Sequence, residues 1–537
     1  MVSLFSSLNI AAGSLTSHES AISVVSHNVA NMNTEGYHKQ RVNFATRNIA
    51  GVIGNNVQAQ IRANGGVMIA NVQRYNDEFL NNYYRDQLSK LNEYGAQLNN
   101  MGELADIFND LDGKGINGAL SEFYKALNNL QEYPASSTAR INFIETAKTL
   151  VSNLNSKNQQ LGELTNKVLG DGTSQEALEN SQLWVHYQAF NDKLTELAEV
   201  NKALQCTQTG TLEANNLLDK RDLILNDIAQ FADISVKEHP NGSVNLYVNG
   251  TPMVKGATVV GELEVQTAAD YEAYCKDNGI ELPDNFYNDD GSYKYPAIVS
   301  IKGDLNIGFA NDIITGGALG GLLHGANTDA EAMNAGKAKE VLNNLSQALA
   351  NIFNDLNKRA GAYHIDPNDS GKLSNEHPID IFVGLDADGN PTAGDVNAGN
   401  IAINPELLTD EGIWYIACAY FKEGENFDEK AVGNAQNVTA MLDTRTEKSA
   451  LLNNQSLEDY YTSLLGKIAA SGDNAQTLYD TQEGLVDSIY NQLKSATNVD
   501  LNEELVDLVK YQTAYAAAAQ VFNTCNNCLD TLMTLGR

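Results

Sequence analysis

Apolar residues recur at helical spacing along most of this chain, and the most regular patterns lie at its two ends. Near the start, Met1, Leu8, Leu15, Ile22 and Val29 stand seven apart, and Leu4, Ala11, His18, Val25 and Met32 form a second series three positions on. Near the finish, Leu508, Tyr511, Tyr515, Ala518, Phe522, Cys525, Leu529 and Leu532 alternate steps of three and four. Each pattern puts one apolar stripe on a helix that supercoils against another helix. The flanks of the first are poor in charge (Ser3, Ser6, Ser7, Ser14, Ser17, Ser20, Ser23, Ser26), which predicts cover by neighbours rather than a solvated face.

Between the ends the helical period resumes with Leu80, Tyr84, Leu88, Leu91, Leu98 and Met101. A short helix through Leu120, Phe123, Leu127 and Leu130 stops at Pro134, and Ile141, Ile144, Leu150, Leu154, Leu161 and Leu164 suit a long one. Further helices are predicted over 184–204, 217–231, 330–360, 457–470 and 477–494. Two stretches break the period. In 235–309, Val244, Leu246 and Val248 alternate and run into Asn249-Gly250, a two-residue hairpin signal. The second, 361–437, is rich in Gly, Asp and Asn. The order predicts a multidomain α+β fold: a terminal α-helical coiled coil and a long helical-bundle stalk, with two inserted β-rich domains. The expected division is 1–55 with 495–537 for the coiled coil, 56–234 with 310–360 and 438–494 for the stalk, and 235–309 and 361–437 for the inserts.

Charge narrows the range of ligands. The chain of 537 residues carries 68 acidic and 35 basic side chains, a formal net charge of −33. Such a surface repels nucleic acid and anionic membrane. No run of about 20 apolar residues is present to span a bilayer. The first residues lack a basic segment, a long apolar run and a cleavage site, so work outside the cell would require export without a cleaved signal. The five cysteines, Cys206, Cys275, Cys418, Cys525 and Cys528, form no disulfide framework. Cys525 and Cys528 fall near the end of a helical seam and read as small apolar residues on a packed face.

A search for chemistry finds no catalytic, cofactor or metal-ligating set. His18, His27 and His38 are nine and eleven apart, so no single helix face presents them together. His18, at a seam position, reads as a polar residue that sets register. Asp386-Ala387-Asp388-Gly389-Asn390 opens like a Ca²⁺ loop but has Pro391 and Asn397 where such a loop needs Gly and Glu, which predicts a tight turn. Gly316-Gly317-Ala318-Leu319-Gly320-Gly321 lacks the residues of a phosphate loop and predicts close packing or an irregular turn. Lys220-Arg221, alternating with acids, has the look of a solvated helix face.

Several segments together carry a resemblance. Ser3-Leu4-Phe5, then Ser26-His27-Asn28-Val29-Ala30-Asn31-Met32-Asn33-Thr34-Glu35-Gly36-Tyr37 with Gln40-Arg41, is similar to the N-terminal motif of bacterial flagellar rod, hook and hook-associated proteins. Val499-Asp500-Leu501-Asn502-Glu503-Glu504-Leu505, with Tyr511-Gln512 and Tyr515, is similar to the closing helix of that superfamily. Asn216-Leu217-Leu218-Asp219-Lys220-Arg221-Asp222 and Gly317-Ala318-Leu319-Gly320-Gly321-Leu322-Leu323 narrow it to the hook-associated protein 1 family of hook–filament junction proteins. The likeness runs end to end, more thinly in 270–300 and 361–437, and His38-Lys39 stands where the family often has Ser-Arg.

The resemblance implies a non-enzymatic structural subunit, extracellular in the flagellum, forming a ring through its terminal helices. Implied partners are other copies of the chain, the hook protein, hook-associated protein 3, a cytosolic export chaperone at the C-terminal helix and the flagellar type III export apparatus. It implies termini that order only on assembly, and a helix short of partners is marginal in water. The residues expected to pack between subunits are Leu4, Leu8, Leu15, Ile22, Val25, Val29, Leu508, Tyr511, Tyr515, Phe522, Leu529 and Leu532. The family-motif residues are Asn28, Ala30, Asn31, Asn33, Thr34, Gly36, Tyr37, Leu218, Asp219, Arg221 and Asp222. Two other classes compete: a secreted protein with an enzymatic insert, for which His364, Asp366 and His377 are too few, and a coiled-coil adhesin or other axial protein.

Overall fold

The computed structural model describes residues 2–48, 64–109, 113, 115–283, 286–287, 291, 293–325, 333–386, 388–392 and 396–535; Met1, the expected boundary at 55/56 and Ala387 lie outside them. The chain opens with α1 (Val2–Asn31) and an antiparallel hairpin of β1 (Gln40–Asn48) and β2 (Asn64–Arg74). The stalk follows as α2 (Glu78–Ile107), α3 (Ile116–Glu132), α4 (Ser137–Leu169), α5 (Gln175–Glu179), α6 (Gln182–Cys206) and α7 (Leu212–Ala229). Asp77, Ser136, Ser174, Ser181 and Thr211 start five of these helices, each accepting a first-turn N–H with its side chain.

The first β-rich segment is an antiparallel meander of β3 (Ile234–Glu238), β4 (Val244–Val248), β5 (Thr251–Lys255) and β6 (Thr258–Val259), followed by a pair, β7 (Gly261–Thr267) with β8 (Ala297–Gly303). Asn249 and Gly250, both at positive φ, turn β4 into β5 as their sequence predicts. One helix was not expected here: α8 (Ala268–Asn278), which Thr267 caps and left-handed Gly279 ends. The stalk then resumes with α9 (Gly317–Gly325) and α10 (Ala335–Lys358).

The second β-rich segment holds β9 (Ala362–Asp366), β10 (Asp369–Ser374), β11 (Phe382–Gly384), β12 (Ile401–Ile403) and β13 (Ala419–Tyr420), in two small sheets ordered β10-β9-β13 and β11-β12. The chain closes with α11 (Gln436–Asp443), α12 (Leu457–Thr497) and α13 (Leu501–Leu535). The two helices expected at 457–470 and 477–494 are one helix of 41 residues. Gly472 costs only about 1 kcal/mol inside a helix. Packing along α2 outweighs that: Gln482 Nε2 donates to the carbonyl of Gln87 at 2.9 Å and the rings of Tyr84 and Tyr490 lie 5.9 Å apart.

One continuous apolar core runs from Met101 in α2 to Ala475 in α12 and takes in Val244, Leu246 and Val248 of β4 and Phe382 of β11. Both β-rich segments therefore dock on the stalk. At its centre the ring of Phe123 lies 5.0 Å from Phe353 and 5.2 Å from Phe143, and Phe382 lies 6.1 Å from Phe353.

The glycine run packs closely, as its sequence predicts. The first N–H groups of α9 meet the carbonyls just beyond the end of α7: Ala318 N donates to Gln230 O at 2.8 Å and Leu319 N to Phe231 O at 3.0 Å. Gly317 has φ of +59°, and a Cβ there would stand 2.2 Å from the Phe231 carbonyl carbon. Gly317→Ala is expected to lower stability by about 1–3 kcal/mol through this overlap; a urea midpoint equal to that of the parent chain would show that α9 can shift aside.

Candidate functional site

The first motif is built around the end of α1. After Asn31 the chain turns, with Thr34 N donating to Asn31 O at 2.9 Å and Gly36 at φ +73°. Asn33 and Thr34 are exposed on this turn, as is Ala30 on the last turn of α1. The return brings Tyr37 and Gln40 back against α1 around Asn28, which is 1% exposed. Asn28 Oδ1 accepts from Tyr37 Oη at 2.7 Å and Gln40 N at 3.1 Å; its Nδ2 donates to Gln40 O at 2.8 Å and Glu504 Oε2 at 3.0 Å. Its full hydrogen-bonding capacity is thus used. Burial, with Asp219 and Glu504 nearby, pushes the Tyr37 phenol up, so it stays a neutral donor.

Glu504 sits at the start of α13, so Asn28 ties the closing helix to the opening one. Lys39 adds to this: its N–H donates to Thr497 O at 2.8 Å, and its ammonium reaches Glu503 at 2.5 Å and Glu504 at 3.5 Å. Against the effect of burial, these two carboxylates hold the Lys39 ammonium above its ordinary value. Two separate carboxylates are a task a point charge can meet without a planar fork.

The second motif, on α7, meets the first. Gln40 bonds Asn215 and Asn216 through its side-chain amide, at 2.9 and 3.2 Å. Asp219 accepts from Arg74 Nε at 2.7 Å and lies 2.9 Å from His38 Nδ1. Asp222 is ringed by three guanidinium groups: Arg74 at 2.7 Å, Arg85 at 3.1 Å and Arg221 at 2.8 Å. Arg221 also reaches the Gly242 carbonyl in the β3–β4 turn and Glu238 at the end of β3. Burial pushes the Asp222 carboxyl up, but Arg221, Arg74 and Arg85 together hold it far below the usual carboxylate range. Burial and the flanking arginines push Arg85 down.

This overturns the solvated face expected at Lys220-Arg221. Lys220 alone is exposed; Asp219, Arg221 and Asp222 are buried between β2, α2 and the β3–β4 turn. Charge alternation cannot tell the two cases apart, because the partners Arg74 and Arg85 lie 148 and 137 positions from Asp222 in the chain. Arg74, Arg85 and Asn215 are thus members of the site that carried no local signal, while Gln40 belonged to the N-terminal motif. Leu218 packs half-buried against the stalk core.

α13 lies antiparallel along α1, with Asn28 facing Glu504 and His18 facing Tyr511 at 6.3 Å between rings. In α13 the expected stripe is the one that turns inward. Tyr511 and Ala518 are buried, Leu508, Phe522, Cys525 and Leu529 half-buried, and Tyr515 and Leu532 exposed; Cys528 is exposed rather than packed. In α1 the register differs. Ala11, Ser17, Ala21, Val24, Val25 and Asn28 are buried, while Leu4, Leu8, Leu15, Ile22 and Val29 are half-buried on the flank. The cause is a second neighbour. The β1–β2 hairpin also packs on α1, so the covered arc centres on small residues that allow backbone approach: Ser17 Oγ lies 3.2 Å from Val67 O, and a Cβ on Gly66 would stand 3.1 Å from Ile10. His18 sits between Phe44 and Tyr511, its Nδ1 without a partner among the described residues, and burial pushes it down.

Among the described residues no group of three His, Cys, Asp or Glu side chains is placed to hold a metal, and no helix is long and apolar enough to cross a membrane. Asp386 closes its turn by accepting from Asp388 N and Asn390 N.

Comparison with known proteins points the same way. The family "Flagellar hook-associated protein FlgK helical domain" matches residues 101–367, "Flagella basal body rod protein" matches 8–38 and "Flagellar basal body rod FlgEFG protein C-terminal" matches 495–535. Flagellar hook-associated protein 1 of Bacillus subtilis is 24% identical over 543 residues, covering 99% of this chain and 98% of its own. That of Salmonella typhimurium is 23% identical over 605 residues, covering 98% and 99%. The structure of the flagellar hook junction protein FlgK from Burkholderia pseudomallei shares the fold with a TM-score of 0.55 and 14% identity, over 77% of this chain and 100% of that one. With three of the four sequence motifs meeting in one buried junction and hook-associated protein 1 relatives matching from end to end, this chain belongs to the flagellar hook-associated protein 1 family.

Proposed function

We propose that this chain is a structural subunit of the bacterial flagellum, placed at the junction between hook and filament and assembled as a ring through α1 and α13. The observation that supports this reading is the contrast between two faces of α13. One face is tied to α1 through Glu504, Tyr511 and Ala518. The outward side leaves Leu505, Val506 and Val509 open in the first turns, Val506 at 68% exposure, and Val521 and Met533 are exposed further along the helix. An exposed apolar cluster such as Leu505, Val506 and Val509 marks an interaction surface. Burial of each such side chain contributes roughly 1.5–3 kcal/mol.

The proposed covers are neighbouring copies of this chain, the hook protein and hook-associated protein 3. The half-buried residues Leu4, Leu8, Leu15, Ile22, Val29, Leu508, Phe522 and Leu529 would complete their burial there, together with Tyr515 and Leu532; Val25 and Tyr511 already pack within the chain. The stalk of α2–α7 with α9–α12 would carry the β-rich segments 235–309 and 361–437 outward. Export through the flagellar type III apparatus, a chaperone on α13 beforehand and an extracellular location belong to the same reading. The relatives are flagellar structural proteins, and no catalytic role is proposed.

Phe522→Asp is expected to abolish incorporation into the flagellum while leaving the melting of the purified chain nearly unchanged, because Phe522 lies outside the buried cluster of Ala21, Val24, Val25, Val42 and Tyr511. Filament growth supported by the variant, or by a chain lacking residues 508–537, would sink the proposal. A large loss of Tm would place Phe522 in the core of the single chain instead.

A further inference from the structure

The outer β-rich segment is fastened to the stalk through its backbone. Arg140, in the first turn of α4, is fully buried and meets no carboxylate among the described residues. Its guanidinium donates to the carbonyls of Pro134 at 3.0 Å, Ile413 at 3.2 Å, Trp414 at 3.3 Å and Ile416 at 2.9 Å, and to Cys418 Sγ at 3.1 Å. Asn357 of α10 holds the same strap, accepting from Ala417 N at 2.8 Å and donating to Ile379 O at 2.9 Å. A whole positive charge is therefore enclosed here and balanced by carbonyl dipoles.

His364 of β9 lies in this enclosure, 4% exposed. Its Nδ1 is 2.9 Å from Ile365 O, so Nδ1 carries the proton of the neutral ring. Nε2 is buried and has no partner among the described residues. The ring stands edge-on to Tyr415 at 5.3 Å. A proton added at Nε2 would find no acceptor and would put a second buried cation beside Arg140. Leaving a buried donor of that kind unmet is strongly unfavourable. His377, whose ring is 4.7 Å from the same tyrosine, differs: it is exposed and 2.9 Å from Glu406 Oε2, a ready acceptor.

We propose that His364 is a proton-sensitive latch: neutral, it lets the segment 361–437 close over Arg140, and its protonation releases β9 and the 413–418 strap while the stalk helices stay folded. The groups facing it are Arg140 from α4, Asp366 from its own strand, Tyr415 from the strap and His377, with its partner Glu406, from the approach to β11; Cys418 lies behind Arg140. Burial chiefly, then Arg140 and His377, hold His364 below its ordinary value of 6.5, against the pull of the Ile365 carbonyl and Asp366. The closed form thus prefers the neutral ring. Its contribution is complete above pH 6.5 and is lost as pH falls from there toward the lowered value. One proton per opening event raises the open population by up to about tenfold per pH unit in that window.

Hydrogen exchange on the full chain, corrected for the intrinsic pH dependence of exchange, tests this. Protection of residues 362–366 and 413–419 is expected to fall by up to about fivefold between pH 6.5 and 5.5, with α4 and α10 unchanged. His364→Gln should flatten the response and His377→Gln should keep it. Protection independent of pH in the parent chain, or a response that survives His364→Gln, overturns the latch. If the glutamine variant is open at every pH, the imidazole resonances of the parent chain decide: His364 must stay neutral while the strands are protected, and its titration near 6.5 with the strands still protected overturns the latch.

Discussion

Asp222→Asn lowers the free energy of unfolding by about 3–5 kcal/mol, measured as the loss in the urea transition that melts the base of the terminal helices. Asp222 is the common acceptor of Arg74, Arg85 and Arg221, and all four side chains are nearly closed to solvent. With an amide in its place, three buried guanidinium groups keep Asp219, Glu238, the His38 ring and neutral oxygens as partners. Removing one member of a buried ionic set costs more than the set contributes, because the remaining charges stay desolvated. Lys220→Ala, one residue away but exposed, should change stability by less than about 0.5 kcal/mol. Equal effects at the two positions would show that the network is hydrated. The pH dependence has a definite sign. The Asp222 carboxyl is held far below the usual range, so its contribution is complete above the unfolded value of about 3.9 and is lost only as pH falls through the lowered one. The parent chain should therefore keep this junction in mild acid, where the histidine latch on the outer segment opens.

Asn28→Ala should cost about 2–4 kcal/mol and should act locally. It removes the side-chain partner of Gln40 N and Gln40 O, leaves the Tyr37 hydroxyl only His27 Nδ1 at 3.0 Å, and removes a donor from the buried Glu504 carboxylate. The stalk core from Met101 to Ala475 is untouched. Hydrogen exchange should thus speed up in α1, β1 and the first turns of α13, with α3, α4 and α10 unaffected. Loss of protection throughout would mean that the terminal pair and the stalk unfold as one unit. Such local freedom, combined with normal stalk stability and failed incorporation, is the pattern a subunit assembled through its ends should give.

Much of the secondary structure was legible because its causes are local. Caps such as Ser136 and Thr211, the turn at Asn249-Gly250 and the apolar period of α3 or α4 each act within a few residues. Thr267, Asp270 and Gly279 are equally local signals for α8, set within a stretch whose other signals are those of strands and turns. The two helices expected at 457–470 and 477–494 are continuous because the glycine between them, Gly472, weakens a helix by an amount that the long contact of α12 with α2 exceeds.

The site divides along the same line. Asn28, Tyr37, Asp219 and Asp222 stood out in the sequence as members of separate motifs, and so did the inward stripe of α13. That these motifs form one junction, with Arg74 and Arg85 completing it, depends on side chains more than a hundred positions apart. The register of α1 depends on which surfaces cover it. A helix facing one partner would bury Leu8, Leu15 and Ile22, but α1 lies between α13 and the β1–β2 hairpin and buries Ala21, Val25 and Asn28. Periodicity reports that a helix has an apolar side; burial is a property of two surfaces in contact, and the second is supplied by distant parts of the chain.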